Sequence, residues 1–486
     1  MLIPLGGSVR VRPLLSFLMV VCLVPIGAAA AMTPAKKSLV ASPRVTGPIP
    51  GKPANAAPFD VRARGYEQQE FFFSGRVSKA RRPPLPGEPS EAAPATYESR
   101  MLVWRPRDAR RFTGTVVVEW NNVSLQADTT IEWAWSHPEV MRRGYAYVAV
   151  SAQQAGVCGI GLVGRDPATC TPTSLKGKDP ARYAPLFHPG DGFSYDIFSQ
   201  AIAALRHPKG VSPLGGLTAR HVIAVGQSQS AVALDEYVAT GADRDAQVVD
   251  AFLSDSDGGL PKPTAYRVPF LSLSSEESSQ PVITTEGPNY RAWMVAGTSH
   301  GDRWEFAYTE MPGTSFDGSS SPAVGDYGQV GAVPTTCAPE GNQFPRRYAV
   351  DAALVALDNW VRTGRPAPVA PPFEFVADTR TALHPVAEAS VVFTGGATIA
   401  RDQWGNARGG LRLPPIDVPL ASYSGVSCGL LGSTVPLPAQ VRRVLYGNVA
   451  GYLTRLRRAA EVARARGFLT EGDLRDLMAR ATRAEF

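Results

Sequence analysis

Short, unbroken apolar runs recur along this chain with helical patterns between them, and that alternation limits its fold more than any other feature. The runs are Gly114–Glu119 (GTVVVE), Tyr145–Val150 (YAYVAV), His221–Val225, Val249–Ser254, Val268–Ser274 and Arg291–Ala296. A strand with one wet face alternates polar and apolar residues, whereas unbroken runs suit strands buried on both faces of a parallel sheet. Thr129–Arg143, Tyr195–Arg206, Ser230–Thr240 and Ala349–Arg362 carry apolar residues at helical spacing. Strand–helix alternation implies right-handed crossovers and a mostly parallel central sheet with helices on both faces, so the expected class is α/β. Ahead of it, Glu70–Val77 and Thr96–Trp104 form an expected hairpin around the Pro-rich loop Arg82–Pro94. Two loop-rich insertions, Ala152–Gly192 and Gly301–Pro345, interrupt the frame. A C-terminal extension runs from about Pro366 and includes a basic helix at Ala439–Arg466. No linker precedes the extension, so residues 59–486 read as one decorated domain.

The N-terminus reads as an address and not as part of that domain. Arg10 and Arg12 precede the apolar stretch Leu14–Leu23, which Pro25 and Gly27 break before the small residues Ala28–Ala31. That is the layout of a signal peptide over residues 1–31, and the stretch is too short to span a bilayer. Residues 32–58 are rich in Pro, Ala and Lys and read as a flexible leader. The expected location is secreted or periplasmic, with no stable membrane span after cleavage. The net charge of +6 falls to +4 without Arg10 and Arg12, too little over such a length for a nucleic-acid footprint. Four cysteines remain in the mature chain. The expected structural pairs are Cys158–Cys170, bracketing a Gly/Pro/Thr loop, and Cys337–Cys428. None has metal-ligand spacing, so neither metal nor organic cofactor is expected.

The segment that carries chemistry is HVIAVGQSQSA, His221–Ala231. An apolar strand runs into Gly226-Gln227-Ser228-Gln229-Ser230 and then into a helix-forming stretch. A nucleophile elbow needs this setting, a sharp strand-to-helix turn that lifts a serine hydroxyl above the sheet edge. Gly226 fits the requirement for a small residue two positions before the serine, and Ser230 replaces the usual second glycine. The following helix aims its N-terminal N–H groups at charge near Ser228.

A serine hydroxyl is a poor nucleophile until a neighbour takes its proton, and the elbow predicts the chain order serine, acid, histidine. Of six histidines, His137, His188, His207 and His221 precede Ser228, and His384 lies deep in the extension. His300 follows the strand Arg291–Ala296, at a strand's C-terminal end where ligands gather in open α/β sheets. It is the expected general base. For the acid, Glu276 ranks first and Glu277 second, both after the strand Val268–Ser274. Asp255 ranks third, with Asp257 beside it. The acid would hold the His300 tautomer and stabilise the imidazolium. The oxyanion hole is expected from the backbone N–H of Gln229 and that of Asn122, in the loop after Val116–Glu119.

Several segments together resemble the secreted bacterial "alpha/beta hydrolase domain" family of the α/β-hydrolase superfamily. They are VVVEWNNVS (Val116–Ser124), RRGYAYVAVSAQ (Arg142–Gln153), HPGDGFSYDIFSQA (His188–Ala201), GQSQSA (Gly226–Ala231), AGTSHGD (Ala296–Asp302) and GNARGGLRLPPIDVP (Gly405–Pro419). The resemblance covers about residues 60 to 470 and implies an α/β-hydrolase fold with Ser228 as nucleophile and His300 as base. The family tends to carry Thr-Glu-Thr-Asp after the acid-bearing strand. Ser275-Glu276-Glu277-Ser278 keeps Glu276 from that pattern, while Ser254–Gly258 departs from the family's His-Ser-Arg-Gly.

The expected activity is hydrolysis of a small-molecule carboxylic ester through an acyl-enzyme. The competing readings are a catalytically silent binding protein and a peptidase or amidase using the same residues. Of Trp104, Trp120, Trp133, Trp135, Trp293 and Trp304, one or two are expected in the pocket wall, with the rest in the core. The loop Ala152–Gly192 leaves the sheet at the same edge as Ser228 and is expected to form the pocket rim.

Overall fold

Alternate residues of each central strand belong to different cores, which explains the unbroken apolar runs. In β4 (Thr115–Trp120), Val117 faces one cluster while Val116 and Val118 face the other. In β5 (Ala146–Val150), Tyr147 and Ala149 lie opposite Ala146, Val148 and Val150. A strand buried on both faces has no position where water would favour a polar side chain.

This computed structural model describes residues 40–78, 80–81, 94–159, 167–257, 265–281, 284–309, 341–377 and 397–486. All of them fall in one compact unit, Lys37–Phe486. The remaining strands of the main sheet are β1 (Arg44–Thr46), β2 (Tyr66–Val77), β3 (Ala95–Pro106), β6 (Lys209–Gly210), β7 (His221–Gln227), β8 (Ala251–Asp255), β9 (Phe270–Ser274), β10 (Glu286–Gly287) and β11 (Tyr290–Met294). Their spatial order is β10-β11-β9-β8-β7-β4-β5-β3-β2-β1-β6. From β5 through β4, β7, β8 and β9 to β11 every pairing is parallel. The β2–β3 hairpin extends the sheet antiparallel beyond β5.

The helices that cover the sheet are α1 (Ile131–Arg143), α2 (Ser194–Arg206), α3 (Gln229–Ala239), α4 (Arg303–Thr309) and α5 (Arg347–Thr363). Helices α1 and α5 pack into one core cluster, α2 and α3 into the other. Gly144 ends α1 in the left-handed region at φ 69°, as its place after Arg143 predicts. The C-terminal helices α6 (Ala439–Tyr446), α7 (Val449–Ala465) and α8 (Glu471–Ala481) join the α1 and α5 core. The single helix expected at Ala439–Arg466 is therefore two. The Asn448 side chain accepts from Gly451 N–H at 3.0 Å and caps a fresh start.

A second correction concerns the leader expected over residues 32–58. Arg44–Thr46 is a strand paired with β2, and Val45 is buried. Apolar content this sparse gave no strand signal; pairing with the edge of a long hairpin supplies the order. Residues 1–31, Cys337 and His384 lie outside the described residues. Cys428 is disulfide-bonded, and Cys158 and Cys170 are bonded to each other across 12 positions. Among the described residues no helix is long and apolar enough to cross a membrane.

Candidate active site

Backbone geometry singles out Ser228. It follows the last residue of β7 and precedes the first of α3, with φ 59° and ψ −121°, a conformation that costs a non-glycine residue of order 1–3 kcal/mol. Its N–H is held by the carbonyl of Asp255 at the end of β8, at 2.8 Å. A Cβ on Gly226 would stand 2.7 Å from the Ser230 carbonyl oxygen, so only glycine fits where strand and helix cross. Ser230 has a use of its own. Its hydroxyl donates to the Gln227 carbonyl at 2.9 Å and accepts from the Gln227 N–H at 3.0 Å, clasping the turn from inside.

His300 lies on the segment between β11 and α4, and lines the same cavities as Ser228. Its Nδ1 faces Glu277 Oε1 at 3.2 Å. With Nδ1 protonated and donating to that carboxylate, Nε2 is left as the proton acceptor. Glu277 is buried and also accepts from the Ser275 hydroxyl.

The first-ranked acid is spent elsewhere. Glu276 Oε1 accepts from Gly297 N–H at 2.8 Å; Oε2 accepts from Gly425 N–H at 2.9 Å and pairs with Arg401 at 2.8 Å. It ties the β9 end, the His300 segment and the C-terminal extension together, and it makes no contact with His300. Adjacent residues just beyond a strand end project in different directions, so one of the two carboxylates is turned from the histidine. The third-ranked Asp255 is buried and paired with Arg346, and Asp257 lines the cavity wall.

The expected oxyanion donors divide in the same way. Gln229 is the first residue of α3, where an N–H has no partner within the helix. Asn122 is unsuitable. Its N–H goes to the Thr129 carbonyl at 3.0 Å, and its side-chain amide to the Gln227 carbonyl at 2.9 Å. The N–H of the next residue is turned towards the cavity. Val123 N–H points at the Gln229 side-chain carbonyl at 3.2 Å, beside Ser228 in the cavity wall. Gln229 Nε2 in turn donates to Gln153 Oε1 at 2.7 Å, which also accepts from Trp120 Nε1 at 2.8 Å. Trp120 is the one of the six tryptophans lining a cavity that contains Ser228. Trp104, Trp133, Trp135 and Trp293 are core residues.

Sequence reasoning passed over Arg346 entirely. Fully buried, it donates through Nη1 to the carbonyls of Ser299 and of His300 (3.1 Å for the latter). Nη2 pairs with Asp255 and donates to Ser256 Oγ at 2.6 Å, and the guanidinium lies over Trp135 at 4.6 Å. One cation therefore spans the His300 segment and the strand end that holds Ser228. Two consecutive arginines at a helix start carried no signal of this in the sequence.

Around Arg346 the interior is rich in acid. Burial raises Glu132 well above the usual carboxylate range, and pushes Glu119 and Glu305 up to about 8. The folded state thus keeps protons that the unfolded chain releases above about pH 4.5. Stability is full below that pH and is lost as pH rises towards 8, by at most about 1.4 kcal/mol per unit for each group. Glu119→Gln should remove one such slope. Measured by urea unfolding at pH 5 and pH 8.5, the variant should gain roughly 1–3 kcal/mol relative to wild type between the two. Parallel profiles would refute the assignment of a neutral Glu119.

The loop Ala152–Gly192 contributes Gln153, Ala155 and Asp191 to the cavity around Ser228. Cys158→Ser/Cys170→Ser should lower stability by roughly 2–4 kcal/mol in the chain-entropy model. It should also change the rates at which serine reagents of different bulk modify Ser228 by more than any loss of folded protein explains. Identical kinetics for the folded variant would make the bridge a staple only.

A strained serine between a parallel strand and a helix, with a histidine after a later strand of the same edge, defines an α/β-hydrolase. The chain belongs to the family described as "Alpha/beta hydrolase domain", whose model matches residues 39–479. No curated protein matches the chain. Among solved structures it is similar to a lidless serine hydrolase from Xanthomonas campestris, at 10% identity and TM-score 0.25, covering 46% of this chain and 83% of that one. Esterase Est22 is 11% identical with TM-score 0.28, covering 50% and 76%. A serine hydrolase homologue from Coxiella burnetii is 13% identical with TM-score 0.25, covering 42% and 84%.

Proposed function

We propose that this hydrolase cleaves carboxylic esters, with Ser228 as nucleophile, His300 as general base and acid, and Glu277 as the carboxylate that orients it. The observation that carries the reading is the conjunction at one cavity of a strained Ser228 with a His300 whose Nδ1 is engaged by a buried carboxylate. His300 takes the Ser228 proton as Oγ attacks the acyl carbon. The N–H groups of Gln229 and Val123 receive the developing oxyanion once the Gln229 side chain withdraws from Val123. The alcohol leaves with the proton from His300, and water then releases the acid by the same steps reversed. Export is part of this reading, and a structural disulfide such as Cys158–Cys170 supports it, because such bridges persist in oxidising compartments.

The test is covalent labelling. A fluorophosphonate probe should modify Ser228, as mapped by peptide mass spectrometry, and Ser228→Ala should lose both label and p-nitrophenyl ester turnover. Turnover that survives in that variant refutes the mechanism. An unlabelled, inactive wild-type protein would favour the silent binding protein.

A further inference from the structure

The net charge of this chain sits in one place. Residues 439–466, which form α6 and α7, carry seven arginines and one acid, Glu461. Their net charge of +6 equals that of all 486 residues, so the remainder sums to zero. Among the described residues, Arg464 is the one arginine of the seven in an ion pair, with Glu471 at 3.5 Å.

Helical spacing sorts α7 into faces. Tyr452, Leu456, Ala460 and Ala463 are buried against the core. Arg455, Arg458, Val462 and Arg466 follow one another in steps of three, four and four, and so share an outward stripe. All four are exposed, and Glu461 lies off the stripe. The stripe begins beside α6, where the Arg455 guanidinium stands 5.8 Å from the centre of the Tyr446 ring. On α6 itself, Arg443 and Val444 are exposed. Like charges three positions apart repel on a helix, and no acid is interleaved to relieve Arg455 and Arg458.

The same segment holds apolar side chains in water. Among the described residues, the three most exposed large hydrophobic ones are Val444 at 81%, Val435 at 60% and Val462 at 52%. Single exposed apolar residues are ordinary, but these three fall within the stretch that carries the chain's net charge. A soluble polyanion would make use of the arginines only. A bilayer surface uses both kinds of group. Phosphate headgroups take guanidinium groups through paired hydrogen bonds, and apolar side chains between them enter the boundary of headgroups and acyl chains. We propose that the outward face of α6 and α7 docks on a bilayer surface bearing anionic phospholipids. The apolar face of α7 is already spent on the protein core, so the helix lies on the surface without embedding in it, and the attachment is reversible and screened by salt.

Flotation of the full mature protein with vesicles tests this. At roughly 0.1 M salt, phosphatidylcholine vesicles with about 30% phosphatidylglycerol should bind it at least about tenfold more tightly than phosphatidylcholine alone, and the difference should vanish near 1 M. Arg455→Gln/Arg458→Gln/Arg466→Gln should weaken that binding about 100-fold, close to fivefold for each arginine. Arg455→Lys/Arg458→Lys/Arg466→Lys should stay within about threefold of wild type, because the surface attracts either cation. Arg44→Gln/Arg76→Gln/Lys209→Gln removes equal charge from exposed positions on β1, β2 and β6, and should cost less than about threefold. Val444→Ser/Val462→Ser should weaken vesicle binding by at least about threefold and leave binding to heparin, a soluble polyanion, unchanged. No preference for the anionic vesicles overturns the proposal, as does an equal loss in the two glutamine variants. Vesicle binding that ignores the valine pair would mean that the face reads charge alone, and overturns the bilayer as its partner.

Discussion

Glu277→Gln should lower kcat by about 10³–10⁴-fold while leaving the fold intact, and Glu276→Gln should do the reverse. An amide in place of Glu277 keeps the shape of the side chain but can donate to His300 Nδ1. That favours the tautomer with the proton on Nε2, the nitrogen that accepts from Ser228 in the proposed mechanism. Losing the orienting acid of such a triad costs about four orders of magnitude in a well-known protease. Glu276, by contrast, holds Gly297, Gly425 and Arg401. Its amide keeps one acceptor and loses the charge pair, so Tm should fall while kcat stays within a few-fold of wild type. Steady-state kinetics and thermal unfolding on both variants decide the matter. A kcat collapse in Glu276→Gln with near-normal Glu277→Gln would reverse the assignment.

Arg346→Met is the second large effect. The substitution keeps an apolar stem over Trp135 but strands the buried Asp255, whose other close side-chain partner is the acid Glu132. Breaking one side of a buried ion pair costs about 3–5 kcal/mol. The carbonyls of Ser299 and His300 lose their donors as well. Urea unfolding should show a loss of that size, with kcat reduced about 10–100-fold through a displaced His300. Asp255→Asn in the Arg346→Met background should recover part of the stability, because it removes the uncompensated charge, and less of kcat, because the His300 carbonyl stays unheld. Full recovery of both would limit Arg346 to neutralising Asp255. Arg346→Lys should not restore activity, since one ammonium cannot span the two sides that the planar fork reaches.

What the sequence determined by itself was local or periodic. Val116–Glu119, Tyr145–Val150 and His221–Val225 announced doubly buried strands because both their faces meet a core, and the structure shows them in one parallel run. The elbow was legible because a glycine, a serine and a second small residue at that spacing answer a steric demand within five positions. His300 was legible because chain order excluded the histidines before Ser228; His188, for one, is buried with Nε2 against the Ala152 carbonyl at 2.9 Å. Tertiary structure alone decided whatever depends on the direction of a side chain after an element ends. Glu276 and Glu277 are chemically alike and adjacent; Gly297, and Gly425 and Arg401 well over a hundred positions away, claim the first and leave the second facing His300. Asn122 N–H is taken up by the Thr129 carbonyl seven positions on, and Val123 N–H meets the side chain of Gln229, over a hundred positions away. Arg346 left no trace because a buried cation's worth lies in the partners around it. Those partners, Asp255 and His300, come from two other strand ends that only the folded sheet brings together.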